Sequence, residues 1–258
     1  MNANSILPAN WPVPKNIHAF TTLRFGMGVS KPPFNEFNLG NRNSELGDDP
    51  NVVEKNRELL MKEFLLPNKP HWLRQVHGIE VLRFEDAPEF SGNFLHDEPV
   101  ADASVTSQEN IVLSVLTADC LPALFCNEAG TEIAAAHAGW RGLANGVLEN
   151  TVRAMKIQPE NILVWLGPVA GPLAYEIGVE VRAAFIQHDT NAEKAFTQTR
   201  ENHWRADLYQ LARMRLQMVG VTKVYGGDHC TISEPEKFFS HRRDKITGRM
   251  ASLIWMSS

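Results

Sequence analysis

The stretch from Ile111 to Phe125 is the most apolar in the chain, and Asp119 interrupts it. A membrane-spanning helix needs a run of about 18 apolar residues, so this stretch belongs in a protein interior. Its two halves read as strands. Ile111 to Thr117 is extended, and Pro122 to Cys126 forms a hairpin with Glu132 to His137 across the turn residues Asn127, Glu128, Ala129 and Gly130.

Further strands are expected at Ile17 to Thr22, Trp72 to Gln75, Glu80 to Phe84, Ala103 to Thr106, Ile162 to Leu166, Val221 to Tyr225 and Ser252 to Met256. Apolar residues at helical spacing predict helices over Val52 to Phe64, Leu143 to Met155, Val179 to Gln187 and Asp207 to Val219, with Asp207 as a cap. Phe25 to Pro50, rich in Gly, Asn and Pro, reads as a long irregular segment of the kind that often carries function. Strands and helices alternate without a regular βαβ rhythm. No repeat or linker divides the chain. The expectation is an α/β (α+β) fold, residues 1–258 forming a single domain with a mixed β-sheet flanked by helices.

Composition narrows the function classes. Hydrophobic residues at 43% and charged residues at 21% exclude intrinsic disorder. The 25 basic and 30 acidic residues leave a net charge of -5, which argues against a general grip on nucleic acid. Three cysteines without paired spacing point to a reducing cytoplasm. The N-terminal MNANSILPANWPVPKN lacks the basic and apolar regions of a secretory signal. No heptad or interface stripe marks an obligate protein partner.

Reactive side chains concentrate in three stretches at the ends of expected strands: Gln75 to Gly78, Thr117 to Pro122 and His137 to Gly142. His77, Cys120 and His137 form a three-ligand zinc set that leaves one position open for water or substrate. The same residues also fit a metal-free reading, with Cys120 as nucleophile, His137 as its base and Asp119 orienting the imidazole. A buried cysteine and hydrogen-bonded core histidines are the third reading.

His77 within QVHG, Cys120 within TADCLP and His137 within AHAGWRG, in that order, resemble the signature of the laccase-domain family. That family is variously labelled multicopper polyphenol oxidase, purine nucleoside phosphorylase or peptidoglycan editing factor. TTLRFGMGVS from Thr21, PFNEFNLG from Pro33, Tyr175 to Gly178, FFSHRR from Phe238 and Thr247-Gly248-Arg249 extend the resemblance over nearly the whole chain. It implies zinc on His77, Cys120 and His137. It implies phosphorolysis of adenosine, inosine and methylthioadenosine, and deamination of adenosine. It also implies a fold similar to cysteine-hydrolase toxins. Copper in the same site would account for the oxidase label. Multicopper oxidation wants a histidine-rich cluster, and the nine histidines contain no His-x-His pair.

Phosphorolysis needs cations for phosphate and a donor or Lewis acid for the leaving purine. Arg141, four residues after His137, is the first expected phosphate ligand, with Arg24 and Arg242 behind it. Gln75 and Asn38 are expected on ribose or purine, or else on buried backbone groups. Asp119 is expected as an acceptor for a ligating histidine or as a proton-transfer residue. In a regular strand it would point away from Cys120, so either role requires a bend. The expected partners are a purine nucleoside and phosphate, with no nucleic acid and no membrane.

Overall fold

The computed structural model describes residues 5–40, 46–87 and 98–258. Among these, the strands are β1 (Ile6–Pro8), β2 (Ile17–Thr22), β3 (Pro70–His71), β4 (Val81–Arg83), β5 (Ala103–Thr106), β6 (Val112–Thr117), β7 (Leu121–Asn127), β8 (Ile133–Ala138), β9 (Ile162–Leu166), β10 (Glu176–Gly178), β11 (Phe196–Arg200), β12 (His203–Ala206), β13 (Lys223–Gly226) and β14 (Met250–Met256). The helices are α1 (Pro50–Glu63), α2 (Trp140–Asn145), α3 (Val147–Ala154), α4 (Val179–Ile186), α5 (Leu208–Met218) and the short α6 (His241–Asp244). None is long and apolar enough to cross a membrane.

The α/β class with helix-flanked mixed sheets is as expected, but the strands divide among three sheets. Their orders are β1-β2-β14-β6-β3, β13-β9-β7-β8-β5-β4 and β10-β12-β11. Side-chain alternation along a strand explains how the two large sheets stack. From β7, Leu124 and Cys126 meet Leu113, Val115 and Ile254 of the five-stranded sheet. Ala123 and Phe125 face the other way, onto Val147 and Leu148 of α3 and Leu211 and Leu216 of α5. On the far side of the five-stranded sheet, Val112, Ala251 and Leu253 pack on Phe37, Leu60 and Phe64. The layers therefore run helix, sheet, sheet, helix. Strands buried on both faces read as continuous apolar runs, which is why Ile111 to Phe125 stood out.

β6 belongs to the five-stranded sheet and β7 to the six-stranded one. Ala118, Asp119 and Cys120 make the whole connection, and Asp119 takes φ 95° to turn it. The required bend is therefore present.

Several local expectations shift. The helix expected from Leu143 to Met155 is two helices broken at Gly146, whose φ of 100° suits glycine. Trp72 to Gln75 is not a strand: pairing falls on Pro70 and His71, and Arg74 makes only an isolated bridge to Val100. Asp207 caps α5 as expected, accepting from the Gln210 N–H at 2.9 Å. Asp49 caps α1 in the same way, with Pro50 in the first turn. The described residues from Phe25 to Asp49 contain neither helix nor strand, and 41–45 of that segment lie outside the described residues.

Candidate metal centre

His137 is the next-to-last residue of β8 and is only 3% exposed. Cys120 sits at the bend between the sheets, and His77 lies in the loop after β3 with φ 61°. Their donor atoms all lie within 4.8 Å of one another, and Cys120 Sγ is 3.7 Å from His77 Nε2. The two imidazole rings are 4.9 Å apart and nearly perpendicular, at 79°. Tetrahedral zinc, with bonds of about 2.3 Å to sulfur and 2.0–2.1 Å to nitrogen, would separate sulfur from nitrogen by about 3.6 Å. The donor set and spacing fit such an ion. Among the described residues no fourth His, Cys, Asp or Glu joins the group, so a bound ion would keep a position open.

One carboxylate organises both histidines. Asp102, fully buried, has Oδ1 2.8 Å from His137 Nδ1. It also accepts the backbone N–H groups of Val76 at 3.1 Å, His77 at 3.0 Å and Gly78 at 2.7 Å. The His77 loop is thus folded around Asp102. Burial alone would push the Cys120 thiol up, but His137 and His77 outweigh it and bring it down to about 6. Burial would push His137 down, but the Cys120 thiolate and Asp102 raise it to about 9. Without a metal these opposed shifts favour a thiolate beside an imidazolium. With one, Sγ and Nε2 are lone-pair donors.

The group lies in the wall of a cavity of about 560 Å³, a size that suits a small ligand. Arg57, Arg74, His241 and Arg249 also line it, with Thr117 and Glu98. Gln75 lines it too, but its amide is taken by Leu116, whose N–H and C=O it pairs at 2.8 Å each.

The other expected site residues lie elsewhere or are otherwise engaged. Asp119 turns from the histidines, accepting Thr231 Oγ1 at 2.6 Å and the Arg242 backbone N–H. The Arg242 guanidinium donates to the Glu176 carbonyl at 2.6 Å and lies over Tyr175. Arg24 donates to the Asn35 carbonyl at 3.0 Å and lies 3.5 Å from Asp244. Asn38 is buried, donating to Asp48 and accepting from the Gly40 and Arg249 N–H groups. Arg141 is exposed on α2, stacked 4.3 Å over Trp140, and does not line the cavity. Sequence reasoning missed Asp102. Its signal was an acid between Ala101 and Ala103, at the start of an apolar strand.

Residues 17–257 match the family described as multi-copper polyphenol oxidoreductase laccase, and the chain belongs to that family. It is 53% identical to a purine nucleoside phosphorylase of Xylella fastidiosa strain Temecula1, over 97% of this chain and 96% of that one. It is 52% identical to purine nucleoside phosphorylase YfiH of Escherichia coli K12, over 98% and 99%. The crystal structure of Neisseria meningitidis protein NMB0706 superposes with a TM-score of 0.89 at 44% identity, covering 98% of this chain and all of that one.

Proposed function

We propose that this chain is a zinc-dependent purine nucleoside phosphorylase. It converts adenosine, inosine or S-methyl-5′-thioadenosine with phosphate to the free base and the sugar 1-phosphate, and it also deaminates adenosine. The observation that carries this reading is the open His77–Cys120–His137 group in the wall of a cavity bearing several cations. The names of the relatives support it. A metal ion held there supplies Lewis-acid polarisation of a substrate atom or a bound water. Asp102 holds His137 by Nδ1, so that Nε2 is the ligating atom. Residues 1–258 act as one unit, on small molecules rather than nucleic acid or membrane. Three free thiols suit a cytoplasmic enzyme.

A second reading has its own observation. Cys120, His137 and Asp102 also stand in the order thiol, base, acid of a cysteine hydrolase, with the thiol brought down to about 6. A cell-wall precursor would then be the substrate and a bound metal an inhibitor. A copper polyphenol oxidase would require several coppers per chain, and the described residues contain one candidate group.

The test is turnover of adenosine by metal-analysed protein, with and without phosphate, following adenine, ribose 1-phosphate and inosine. Phosphate-dependent adenine release with about one zinc per chain is expected, and Cys120→Ala and His137→Ala should each abolish metal retention and turnover. Full zinc occupancy and phosphorolysis in Cys120→Ala would sink the reading. Absence of any purine turnover would transfer it to the thiol hydrolase.

A further inference from the structure

One cation in the cavity wall, Arg249, has free donors. Arg249 directly precedes β14, and its backbone is pinned on both sides: its N–H donates to Asn38 Oδ1 at 2.9 Å and its carbonyl accepts from the Leu39 N–H at 3.1 Å. Its stem packs against Gly40, where an added Cβ would lie 3.2 Å from both Arg249 Cβ and Cγ. One guanidinium nitrogen, Nη1, donates to the carbonyls of Thr247 and Gly248, at 3.0 and 2.9 Å. Among the described residues, Nε and Nη2 have no acceptor and no carboxylate forms an ion pair with Arg249. The anions that act on it from a distance are the Cys120 thiolate and Asp119. Asp119 is already occupied by Thr231 and Arg242, and a metal-bound thiolate would spend its charge on the ion. Arg57, the other inner guanidinium, already meets the Leu39 carbonyl, Glu54 and Glu98.

Arg249 thus presents a half-buried cation with two free donors to the cavity that Cys120 and His137 also line. A cation withdrawn from water without a paired anion is costly, and an oxyanion in the cavity would satisfy the free fork.

We infer that Arg249 forms an oxyanion subsite beside the His77–Cys120–His137 group, its free Nε–Nη2 fork binding inorganic phosphate. This rests on the phosphorylase reading. The fork matches two phosphate oxygens. In the reaction it would serve, an oxygen of hydrogenphosphate bonds to the anomeric carbon. The glycosidic C–N bond breaks with its electron pair going to the purine, and the phosphate proton ends on the purine nitrogen. Asn38 then has a role, since it fixes the Arg249 backbone.

The test is binding of inorganic phosphate to the metal-loaded protein by calorimetry, alongside the phosphate and adenosine KM values. Arg249→Met should weaken phosphate by about 10- to 100-fold, as expected for a lost charge-assisted pair. Arg249→Lys should fall between it and the wild type. In each, metal content should be unchanged and adenosine KM should move much less than phosphate KM. Arg249→Lys keeps the charge and most of the stem but loses the fork, and it decides the matter if Arg249→Met fails to fold. Phosphate affinity and KM unchanged in these variants would overturn the subsite even if phosphorolysis is observed. Arg249-dependent phosphate binding without adenine release would instead leave the subsite standing and remove the phosphorylase.

Discussion

Asp102 and His137 are joined twice: His137 Nδ1 lies 2.8 Å from the Asp102 carboxylate, and the His137 backbone N–H donates to the Asp102 carbonyl at 2.7 Å. The carboxylate fixes the ring, and the carbonyl fixes the strand that carries it. Outer partners of this kind usually contribute 10- to 100-fold in metal affinity. Asp102→Asn should therefore weaken metal binding by about that factor in a chelator competition. An unchanged affinity would mean that the ring is held by packing alone.

The same carboxylate should shape the acid limb of stability. Burial pushes Asp102 up, but the His137 hydrogen bond, the Gly78 N–H, the His137 charge and the Val76 N–H together hold it below the usual carboxylate range. A carboxyl depressed in the folded state stabilises above its unfolded pKa, and that stability is lost as pH falls through the folded value. Tm of the metal-stripped protein should therefore drop below about pH 4. The drop should be shallower in Asp102→Asn, and parallel Tm–pH curves for the two proteins would contradict the assignment.

The cysteines should separate cleanly by reactivity. In metal-stripped protein, Cys120 should alkylate with an apparent pKa of about 6, because His137 and His77 outweigh its burial. Cys126, buried between the sheets, is pushed up to about 12 and should label only on unfolding. Peptide mass mapping across pH reads both, and zinc should suppress labelling at Cys120. An ordinary thiol profile at Cys120 would show that the imidazoles do not hold its charge.

Gly139 offers a substitution aimed at the centre rather than the backbone. A Cβ there would lie 2.6 Å from His77 Cδ2 and 3.1 Å from Cys120 Sγ. Its φ of −62° and ψ of 158° suit any residue. Gly139→Ala should weaken metal binding by at least about tenfold, since ligand positions tolerate only about 0.2 Å, while circular dichroism stays native. Full metal affinity in this variant would place the ligand positions elsewhere.

Sequence reading succeeded where one residue's local pattern decided the outcome. Ile17 to Thr22, Ala103 to Thr106 and Ile162 to Leu166 are strands with the expected ends: the first alternates, and the last is an apolar run stopped by Gly167-Pro168. The β10–β12–β11 sheet was invisible because Thr197 to Arg200 are all exposed and carry no apolar alternation. The break at Gly146 left no mark in the apolar spacing from Leu143 to Met155, since only its φ reveals it. The grouping of His77, Cys120 and His137 was legible through their motifs. The arginines that line the cavity were not, because closeness in sequence to His137 favoured Arg141, which is exposed on α2 and does not line it. Arg249 reaches the cavity through the pairing of Met250 with Thr117, which joins residues far apart in the chain.

The three-residue step from Ala118 to Cys120 gives the molecule a seam. One sheet ends on its near side and the other begins on its far side, so Cys120 belongs to neither layer. His137 rides on the second layer, whereas His77 hangs from the loop that leaves the first. An ion gripping all three would therefore act as a rivet, and its loss should be felt mechanically. Amide exchange at residues 118–121 would quicken before the flanking strands lose protection, so the occupancy of the centre could be read from the looseness of a joint.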